Sequence, residues 1–366
     1  SFVPLFVFLA PLMAGVQLFY TPSRSSEGQS ATAAGVSHEQ VVLGDLRARL
    51  GEARGALEVS QPETTDAVRL AVEDGGGAAL HLVDVPKEIY LAKGAEAVLT
   101  SSLGEPLRLR VVRANGVNTA VRVTDGAGRE LRPLVVQYPI EREGRMEEVA
   151  YYSSAHPALS SDALTRGGSI YVRGMLDRAA ARLREKGKTI SPEIVDVAER
   201  LCVVEHTDHK RFKAEDRARL FDEIYALYAL NAGDTYRYSV SSAGAGGMIQ
   251  MIPPTYAAMR ERHAVGLKSD FVEGMRDHAN ATEAMLLYMQ DTWDKLLQSE
   301  EVRAALASKT ATQAELLAAG YNSNPLRLPG YLKRGGDRWR TLIPSETQMY
   351  LQIYSSVERL AFKQNG

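Results

Sequence analysis

The stretch LRLRVVRANGVNTAVRVTDG (residues 107–126) contains runs in which apolar and polar side chains alternate. Leucine or valine alternates with arginine or threonine in two runs, which is the period of a strand that buries one face. An Asn-Gly pair at 115–116 and an Asp-Gly pair at 125–126 interrupt the runs. Such pairs favour tight hairpin turns because they tolerate a positive φ. Working outward, the pattern predicts a small antiparallel β domain over residues 76–150.

The arginines of this predicted domain alternate with its apolar residues, as in Leu109-Arg110-Val111. The simplest interpretation is the solvated face of a sheet. A surface that recognises an acidic polymer or a protein of the cell envelope is the alternative. No group of residues in the predicted domain has the composition of a catalytic cluster, so the chemistry is expected elsewhere in the chain.

The N-terminal side of the chain divides into three parts. Residues 1–20 carry no charge, and as a helix they extend about 30 Å, enough to cross a bilayer. A membrane anchor is expected there, with a cleaved signal peptide or a buried core helix as the alternatives. Residues 21–37 have the composition of a flexible linker, and residues 38–75 carry a helical pattern. An anchor and a signal peptide both predict a periplasmic location, and an anchor adds a tether to the membrane.

Charge and cysteine content exclude several classes of function. The formal net charge of −2 gives no sign of a polyelectrolyte partner, so no nucleic-acid partner is expected. Cys202 is the one cysteine, which excludes an internal disulfide and a cysteine-based zinc site. His206, Asp208 and His209 have a spacing that can hold a metal, but the sequence nearby offers no further ligands. We therefore expect no metal and no cofactor.

A helical domain is expected over residues 158–366, where the apolar pattern follows the helical period. Within it, Ser191 and Pro192 mark a helix start, since serine caps well and proline fits the first helical position. That helix ends in the run LCVVE, whose last residue is Glu205. A carboxylate at the edge of an apolar surface tends to have a raised pKa, as a general acid requires. A surface glutamate at a helix end is the alternative.

The stretch YSVSSAGAGGMIQMIPPTY (238–256) sets small residues before a short apolar segment. Its glycines allow backbone or ligand to approach closely. Gln250 lies among apolar residues and must find hydrogen-bond partners. The pattern leaves two interpretations equally open: an amide satisfied within the core, or an amide that binds a ligand.

Two further polar segments lie near the C-terminus. Tyr321 and Asn322 lie where a predicted helix breaks. Glu346 lies at a predicted helix start, where the helix dipole favours a carboxylate. Tyr350 lies one turn further on the same face.

Taken together, these segments resemble the lytic transglycosylase family, whose catalytic domain is goose-lysozyme-like. The family pattern is a catalytic Glu on a helix, then S-x-x-G-A-x-G-L-M-Q-x-M-P-x-T, then A-Y-N-x-G-P, then E-T-x-x-Y. The chain has counterparts in the same order: Glu205, SSAGAGGMIQMIPPT (241–255), GYNSNP (320–325) and ETQMY (346–350). The resemblance implies an α+β multidomain protein whose C-terminal α-helical domain is lysozyme-like, preceded by the small β domain and the N-terminal membrane segment.

The resemblance implies a role for each matching residue. It implies that Glu205 is the single catalytic acid and base. It also implies that Glu346 helps to position the site from behind. Four residues are implied to line the groove that binds sugar: Ser241, Gln250, Tyr321 and Asn322.

The chain departs from the family pattern in places. His206 follows the acid where the family usually has serine, and Asn324 replaces a glycine. The stretch between the acid and the glycine-rich segment is longer by about one helix. Glu215 and Glu223 lie within that stretch and are the alternative acids, although neither follows an apolar helix face as Glu205 does.

The implied reaction is cleavage of the MurNAc-GlcNAc β-1,4 bond of peptidoglycan, with a 1,6-anhydro product and no water consumed. Two alternatives stay open: a hydrolytic muramidase that uses Glu205 with water, and a peptidoglycan-binding scaffold without turnover. The implied partners are peptidoglycan glycan strands and the membrane, through residues 1–20. A cell-envelope protein at the β domain is a further candidate.

Overall fold

The computed structural model describes residues 38–364, with gaps at 60, 63, 143, 154–158, 160 and 234–243. The predicted anchor or signal segment (1–20) and the predicted linker (21–37) lie outside the described residues. The part from His38 onward belongs to one compact unit. One helix opens this unit, strands follow, and helices form nearly all of the rest.

An antiparallel sheet of seven strands occupies the first half of the unit. Helix α1 (His38–Glu58) precedes it, and the strands are β1 (Ala67–Glu73), β2 (Leu80–Pro86), β3 (Glu96–Thr100), β4 (Pro106–Arg113), β5 (Ala120–Thr124), β6 (Glu130–Arg142) and β7 (Arg145–Ser153). The order across the sheet is β2-β1-β6-β5-β4-β3, and β7 pairs with β6. The end strands also meet, because the N–H of Ser102 donates to the carbonyl of Leu82 at 2.8 Å. The sheet is therefore nearly closed.

Alternation in the sequence becomes alternation of burial in β4. Leu107, Leu109 and Val111 are buried, whereas Arg108 and Arg110 are exposed. Because successive side chains of a strand point to opposite faces, the apolar set fills the interior of the sheet and the arginines meet solvent. The period of two thus fixes which face lies inside.

Helices build the second half of the unit, and local caps start many of them. A side-chain oxygen accepts a first-turn N–H at Ser161, Asp208, Asp216, Asp270, Asp277, Ser299 and Thr312. The short α2 (Lys87–Tyr90) follows β2, and the later helices are α3 (Asp162–Glu185), α4 (Pro192–Val204), α5 (His209–Ala214), α6 (Arg217–Leu230), α7 (Pro253–Arg262), α8 (Phe271–Arg276), α9 (His278–Leu296), α10 (Glu300–Ala307), α11 (Gln313–Asn322), α12 (Leu328–Gly335) and α13 (Ser345–Gln364).

Sheet and helices are joined by polar contacts as well as by a shared apolar core. The N–H of Ser153, the last residue of β7, donates to Oδ1 of Asn231 at 2.6 Å, just after α6. Arg113 at the end of β4 forms an ion pair of 3.4 Å with Glu223 of α6. These two contacts connect the sheet to α6 and to the residue that follows it.

The predicted fold class needs correction. The resemblance implies a lysozyme-like helical domain after a small separate β domain and a membrane segment. In the structure the sheet begins at Ala67, inside the range 38–75 expected to be helical, and it shares its core with the helices. Within the part of the chain that the structure describes, no helix combines the length and the apolar character that a membrane crossing requires. The corrected class is α+β, with a nearly closed antiparallel sheet followed by helices.

Candidate active site

Several helix ends meet around a cleft of about 790 Å³ in the helical half. α4 and α11 end there, and α13 begins there. Ser241, the sixth residue singled out from the sequence, lies outside the described residues. The structure brings the other five to this one cleft: Glu205, Gln250, Tyr321, Asn322 and Glu346.

Glu205 lies at the end of α4, as the first residue after the helix. The preceding residues, from Leu201 to Val204, are buried, so the chain delivers a carboxyl group to the boundary of the core. Its side chain is half-buried. Burial raises the pKa of Glu205 to about 8; a hydrogen bond from Tyr350 opposes the rise, and the charge of Glu346 adds to it. At neutral pH the group therefore holds a proton that it can donate.

Tyr350 contacts the carboxyl group directly from α13. Its hydroxyl donates to Oε1 of Glu205 at 2.5 Å. Burial and the neighbouring Glu205 charge both raise the pKa of Tyr350 well above the ordinary value, so the phenol keeps its proton and remains a donor. Among the described residues, no side chain or backbone group forms a hydrogen bond with Oε2 of Glu205.

One wall of the cleft is a tight reversal of the backbone at residues 246–251, which we call the wall turn. Its first N–H donates to its last carbonyl at 3.1 Å. Gly247 has a φ of +68°, and a Cβ there would lie 2.4 Å from the carbonyl oxygen of Met275. Gln250 has a φ of +47°, which is unfavourable for a residue with a side chain. Gly247 therefore allows the wall turn to pack closely against the backbone at Met275.

The side chain of Gln250 is half-buried in the cleft wall. Its Nε2 donates to the carbonyl of Gly247 at 2.8 Å, within the same turn. The two interpretations left open by the sequence thus meet in one residue. The amide is bonded inside its own turn, and it faces the space where a ligand would lie.

Tyr321 and Asn322, at the end of α11, form hydrogen bonds with other segments that line the cleft. The hydroxyl of Tyr321 donates to the carbonyl of Ile249 in the wall turn at 2.8 Å. Its ring packs edge-on against Tyr288, with centroids 5.6 Å apart. Oδ1 of Asn322 accepts a hydrogen bond of 2.9 Å from the hydroxyl of Thr347, which joins the end of α11 to the start of α13. These contacts connect α11 to the wall turn, to α9 and to the start of α13.

Glu346 supplies a second carboxylate to the cleft, from the first turn of α13. Its side chain is exposed. The resemblance implies a position behind the site, whereas the structure places this carboxylate at the cleft itself. Its charge disfavours ionisation of Glu205. Glu346 is therefore placed to act on the acid or on a ligand.

The two alternative acids lie elsewhere. Glu215 and Glu223 both pair with Arg211, at 2.7 and 2.8 Å, and neither lines the cleft. The hydrogen bond with Arg211 lowers the pKa of Glu215, so this carboxyl is ionised at neutral pH. Glu215 is therefore poorly suited to donate a proton, and Glu223 lies away from the cleft.

Tyr350 is the main site residue that sequence reasoning left unassigned. It belongs to the ETQMY segment and lies one helical turn after Glu346, which placed it on the same face. That spacing was the available signal. Tyr288 in the middle of α9 also lines the cleft, and no local pattern marked it.

The His-Asp-His segment after the acid does not converge on one point. His209 lines the cleft, whereas His206 lines a separate small cavity together with Asp208. Oδ1 of Asp208 accepts the backbone N–H groups of Lys210 and Arg211 and so caps α5. Among the residues that the structure describes, no group of three or more His, Cys, Asp or Glu side chains is arranged to hold a metal ion.

A second cavity, of about 810 Å³, lies beside the sheet. It is slightly larger than the cleft, but its buried carboxylate is already paired with arginine side chains. The carboxylate of Glu73 is almost fully buried and receives hydrogen bonds from Arg49 and Arg132. The cleft with Glu205 is thus the better candidate for acid–base chemistry.

Comparisons of the chain with protein-family models, with curated proteins and with solved structures found no match. What the cleft does must therefore be inferred from its own residues and from the motifs that they form.

Proposed function

We propose that the chain is a peptidoglycan lytic transglycosylase, which cleaves the β-1,4 bond between MurNAc and GlcNAc and forms 1,6-anhydroMurNAc. The observation that carries the proposal is the state of Glu205: a half-buried carboxyl with a pKa of about 8, in a polar cleft. A general acid near neutral pH needs such a pKa. The substrate class comes from the four motifs that meet in the cleft.

One carboxyl group is sufficient for both halves of this reaction. Glu205 donates its proton to the glycosidic oxygen as the bond from C1 of MurNAc to that oxygen breaks. Positive charge develops around C1, and the new carboxylate lies nearby. The carboxylate then removes the proton from the C6 hydroxyl of the same MurNAc, and O6 bonds to C1. The acid is protonated again, and no water is consumed.

Tyr350 supports the anionic half of the cycle. Its hydrogen bond to Oε1 is stronger when Glu205 is a carboxylate, because charge-assisted hydrogen bonds are roughly twice as strong as neutral ones. The same bond holds Oε1, which would leave Oε2 as the oxygen that exchanges the proton with the substrate. Gln250 and Asn322 offer amide groups for the hydroxyl and acetamido groups of the sugars.

A hydrolytic muramidase is the second candidate, and Glu346 favours it. Many glycosidases use two carboxylates, one as the acid and one to activate water. Glu346 is exposed at the same cleft, and in this reaction it would polarise a water molecule. The two reactions differ in their products, since the anhydro product is lighter by one water.

A peptidoglycan-binding scaffold is the third candidate, and the environment of Glu205 argues against it. Burial of a titratable group is unfavourable, and a protein without turnover has no need to maintain it. Peptidoglycan lies outside the cytoplasmic membrane. We therefore propose a periplasmic site of action with glycan strands as the partner.

Product analysis tests the proposal. Purified protein is incubated with isolated sacculi, and the released muropeptides are analysed by mass spectrometry. We expect anhydro products from the wild type, loss of release by roughly 10²- to 10⁴-fold in Glu205→Gln, and normal release from the matched control Glu215→Gln. Release of hydrated ends alone would indicate the muramidase. Full activity of Glu205→Gln would refute the assignment of the acid.

A further inference from the structure

His206 and Tyr228 hold the wall turn at the carbonyl of Met248. Nε2 of His206 lies 3.0 Å from this oxygen. The hydroxyl of Tyr228 lies 2.9 Å from the same oxygen and 2.7 Å from the carbonyl oxygen of Cys202 in α4. Neither side chain lines the cleft. Both line a separate cavity of about 40 Å³, between the sheet and the helices.

The protonation state of His206 follows from its surroundings. Burial lowers the pKa of His206 to about 4, so the imidazole is neutral at neutral pH. A neutral imidazole has one N–H, and a carbonyl oxygen can only accept. The proton must therefore be on Nε2, which donates to Met248. The ring also packs edge-on against Tyr228, with centroids 5.7 Å apart.

These bonds connect the end of α4 and the wall turn, which both line the cleft, with α6 behind them. His206 directly follows Glu205, Tyr228 comes from α6, and Met248 lies two residues before Gln250. The single O–H of Tyr228 is shared between the carbonyl oxygen of Cys202 in the last turn of α4 and that of Met248 in the wall turn. These two side chains thus link the turn that carries Gln250 to the end of the helix that leads into Glu205.

The backbone conformation of the wall turn requires stabilising contacts. Gln250 has a φ of +47°, and strained backbone persists only where neighbouring groups hold it. On the cleft side, Tyr321 donates to the carbonyl of Ile249. On the other side, His206 and Tyr228 engage the adjacent carbonyl of Met248. Two successive carbonyls are thus fixed from opposite sides.

We propose that His206 and Tyr228 are positioning residues that hold the wall turn against the end of α4 and so set the place of Gln250 relative to Glu205. This inference rests on the proposed function, because it concerns the same cleft. A serine hydroxyl at position 206 would lie closer to the backbone than Nε2 does, so the longer histidine is the donor suited to this distance.

Matched substitutions separate the hydrogen bonds from packing. His206→Gln keeps an N–H donor near the place of Nε2, whereas His206→Met has a similar length without a donor. Tyr228→Phe removes the bridging hydroxyl. Tyr225→Phe removes a hydroxyl from the same helix that takes part in neither the cleft lining nor the wall-turn bonds, and it is the control.

Steady-state kinetics on soluble glycan strands, with pH profiles and melting temperatures, give the readout. We expect KM to rise about tenfold or more in His206→Met and Tyr228→Phe, since each loses a buried hydrogen bond. His206→Gln should stay within about threefold of the wild type. The alkaline limb of kcat/KM should not move, because the contacts of Glu205 are intact. A substitution that only weakened the fold would lower the melting temperature without this selective change in KM.

Two results would overturn the positioning role. One is an unchanged KM in folded His206→Met and Tyr228→Phe. The other is equal impairment of His206→Gln and His206→Met. Binding of glycan fragments to Glu205→Gln, with and without Tyr228→Phe, separates this role from the proposed function. If the wild type binds strands but releases no product, the proposed transglycosylation is wrong. Weaker binding after Tyr228→Phe would still support the positioning role. Unchanged binding after Tyr228→Phe would overturn the positioning role.

Discussion

The hydroxyl of Tyr350 donates a hydrogen bond of 2.5 Å to Oε1 of Glu205, although 145 residues separate the two in the sequence. The bond favours the carboxylate, whereas burial favours the protonated acid, and burial has the larger effect on the pKa of Glu205. The acid is therefore protonated at neutral pH, and the anion formed after proton donation still has a donor beside it. A group that acts first as an acid and then as a base needs both conditions.

Activity should fall on the alkaline side with a midpoint near pH 8. Glu205 must begin each turnover protonated, and its pKa is raised to about 8, so the protonated fraction decreases as the pH rises through that value. The pH profile of kcat/KM for anhydro-product release measures it. A midpoint near the ordinary value of 4.5 would contradict the role of burial at Glu205.

Removal of the Tyr350 hydroxyl should move the alkaline limb of the kcat/KM pH profile to higher pH. In Tyr350→Phe the carboxylate loses its hydrogen bond, so the pKa of Glu205 should rise further. The rate at the optimum should also fall by roughly 10- to 100-fold, since hydrogen bonds to charged groups contribute about 1.5–3 kcal/mol. A limb that stays in place would mean that the contact is weak in solution.

Substitution of Glu346 should move the same limb in the opposite direction. Glu346→Gln removes a negative charge from the cleft, so the pKa of Glu205 should fall and the limb should shift to lower pH. Glu300→Gln removes an equal charge from an exposed position outside the cleft and is the control. Because Glu346 is exposed, added salt should reduce the shift. If Glu346→Gln also abolishes hydrated products, the muramidase reading gains support.

The secondary structure of several segments was readable because its signals are local. The alternating run in β4 fixes a strand with one buried face, and Ser191-Pro192 opens α4 at the expected residue. Closure of the sheet was not readable. It depends on a contact between Ser102 and Leu82, which only the twist of the intervening strands brings together.

Candidate site residues could be assigned from motifs, but their contacts could not. The sequence does not determine the role of Gln250, because an amide bonded within its turn and one that faces a ligand have the same neighbours in sequence. The sequence assigns no role to Tyr350, because its partner lies far away in the chain. The replacement of the family's glycine by Asn324 has a local explanation. Asn324 has a φ of −72°, and its Oδ1 accepts the N–H of Leu326 at 3.0 Å, so the position favours a cap rather than glycine.

Replacement of the acid should stabilise the protein above neutral pH. The folded state keeps the proton of Glu205 up to about pH 8, whereas an unfolded glutamate releases it near 4.5. The folded state thus binds more protons between these values, and its stability falls as the pH rises through this window. Glu205→Gln removes this loss, and its amide oxygen can still accept from Tyr350. Thermal unfolding should show a higher Tm than the wild type at pH 8 and a small difference at pH 4.

Gly247→Ala should destabilise the protein more than a glycine substitution at similar φ elsewhere. A Cβ at Gly247 would meet the carbonyl oxygen of Met275 at 2.4 Å in addition to the cost of a φ of +68°. At Gly266, with a φ of +78°, a Cβ has nothing within 4 Å, so Gly266→Ala reports the backbone cost alone, about 1–2 kcal/mol. Denaturant unfolding should therefore give a larger loss for Gly247→Ala. Because the wall turn must shift to relieve the clash, KM for glycan strands should rise in this variant and stay unchanged in Gly266→Ala. Equal losses of stability in the two variants would contradict the tight packing of the wall turn against α8.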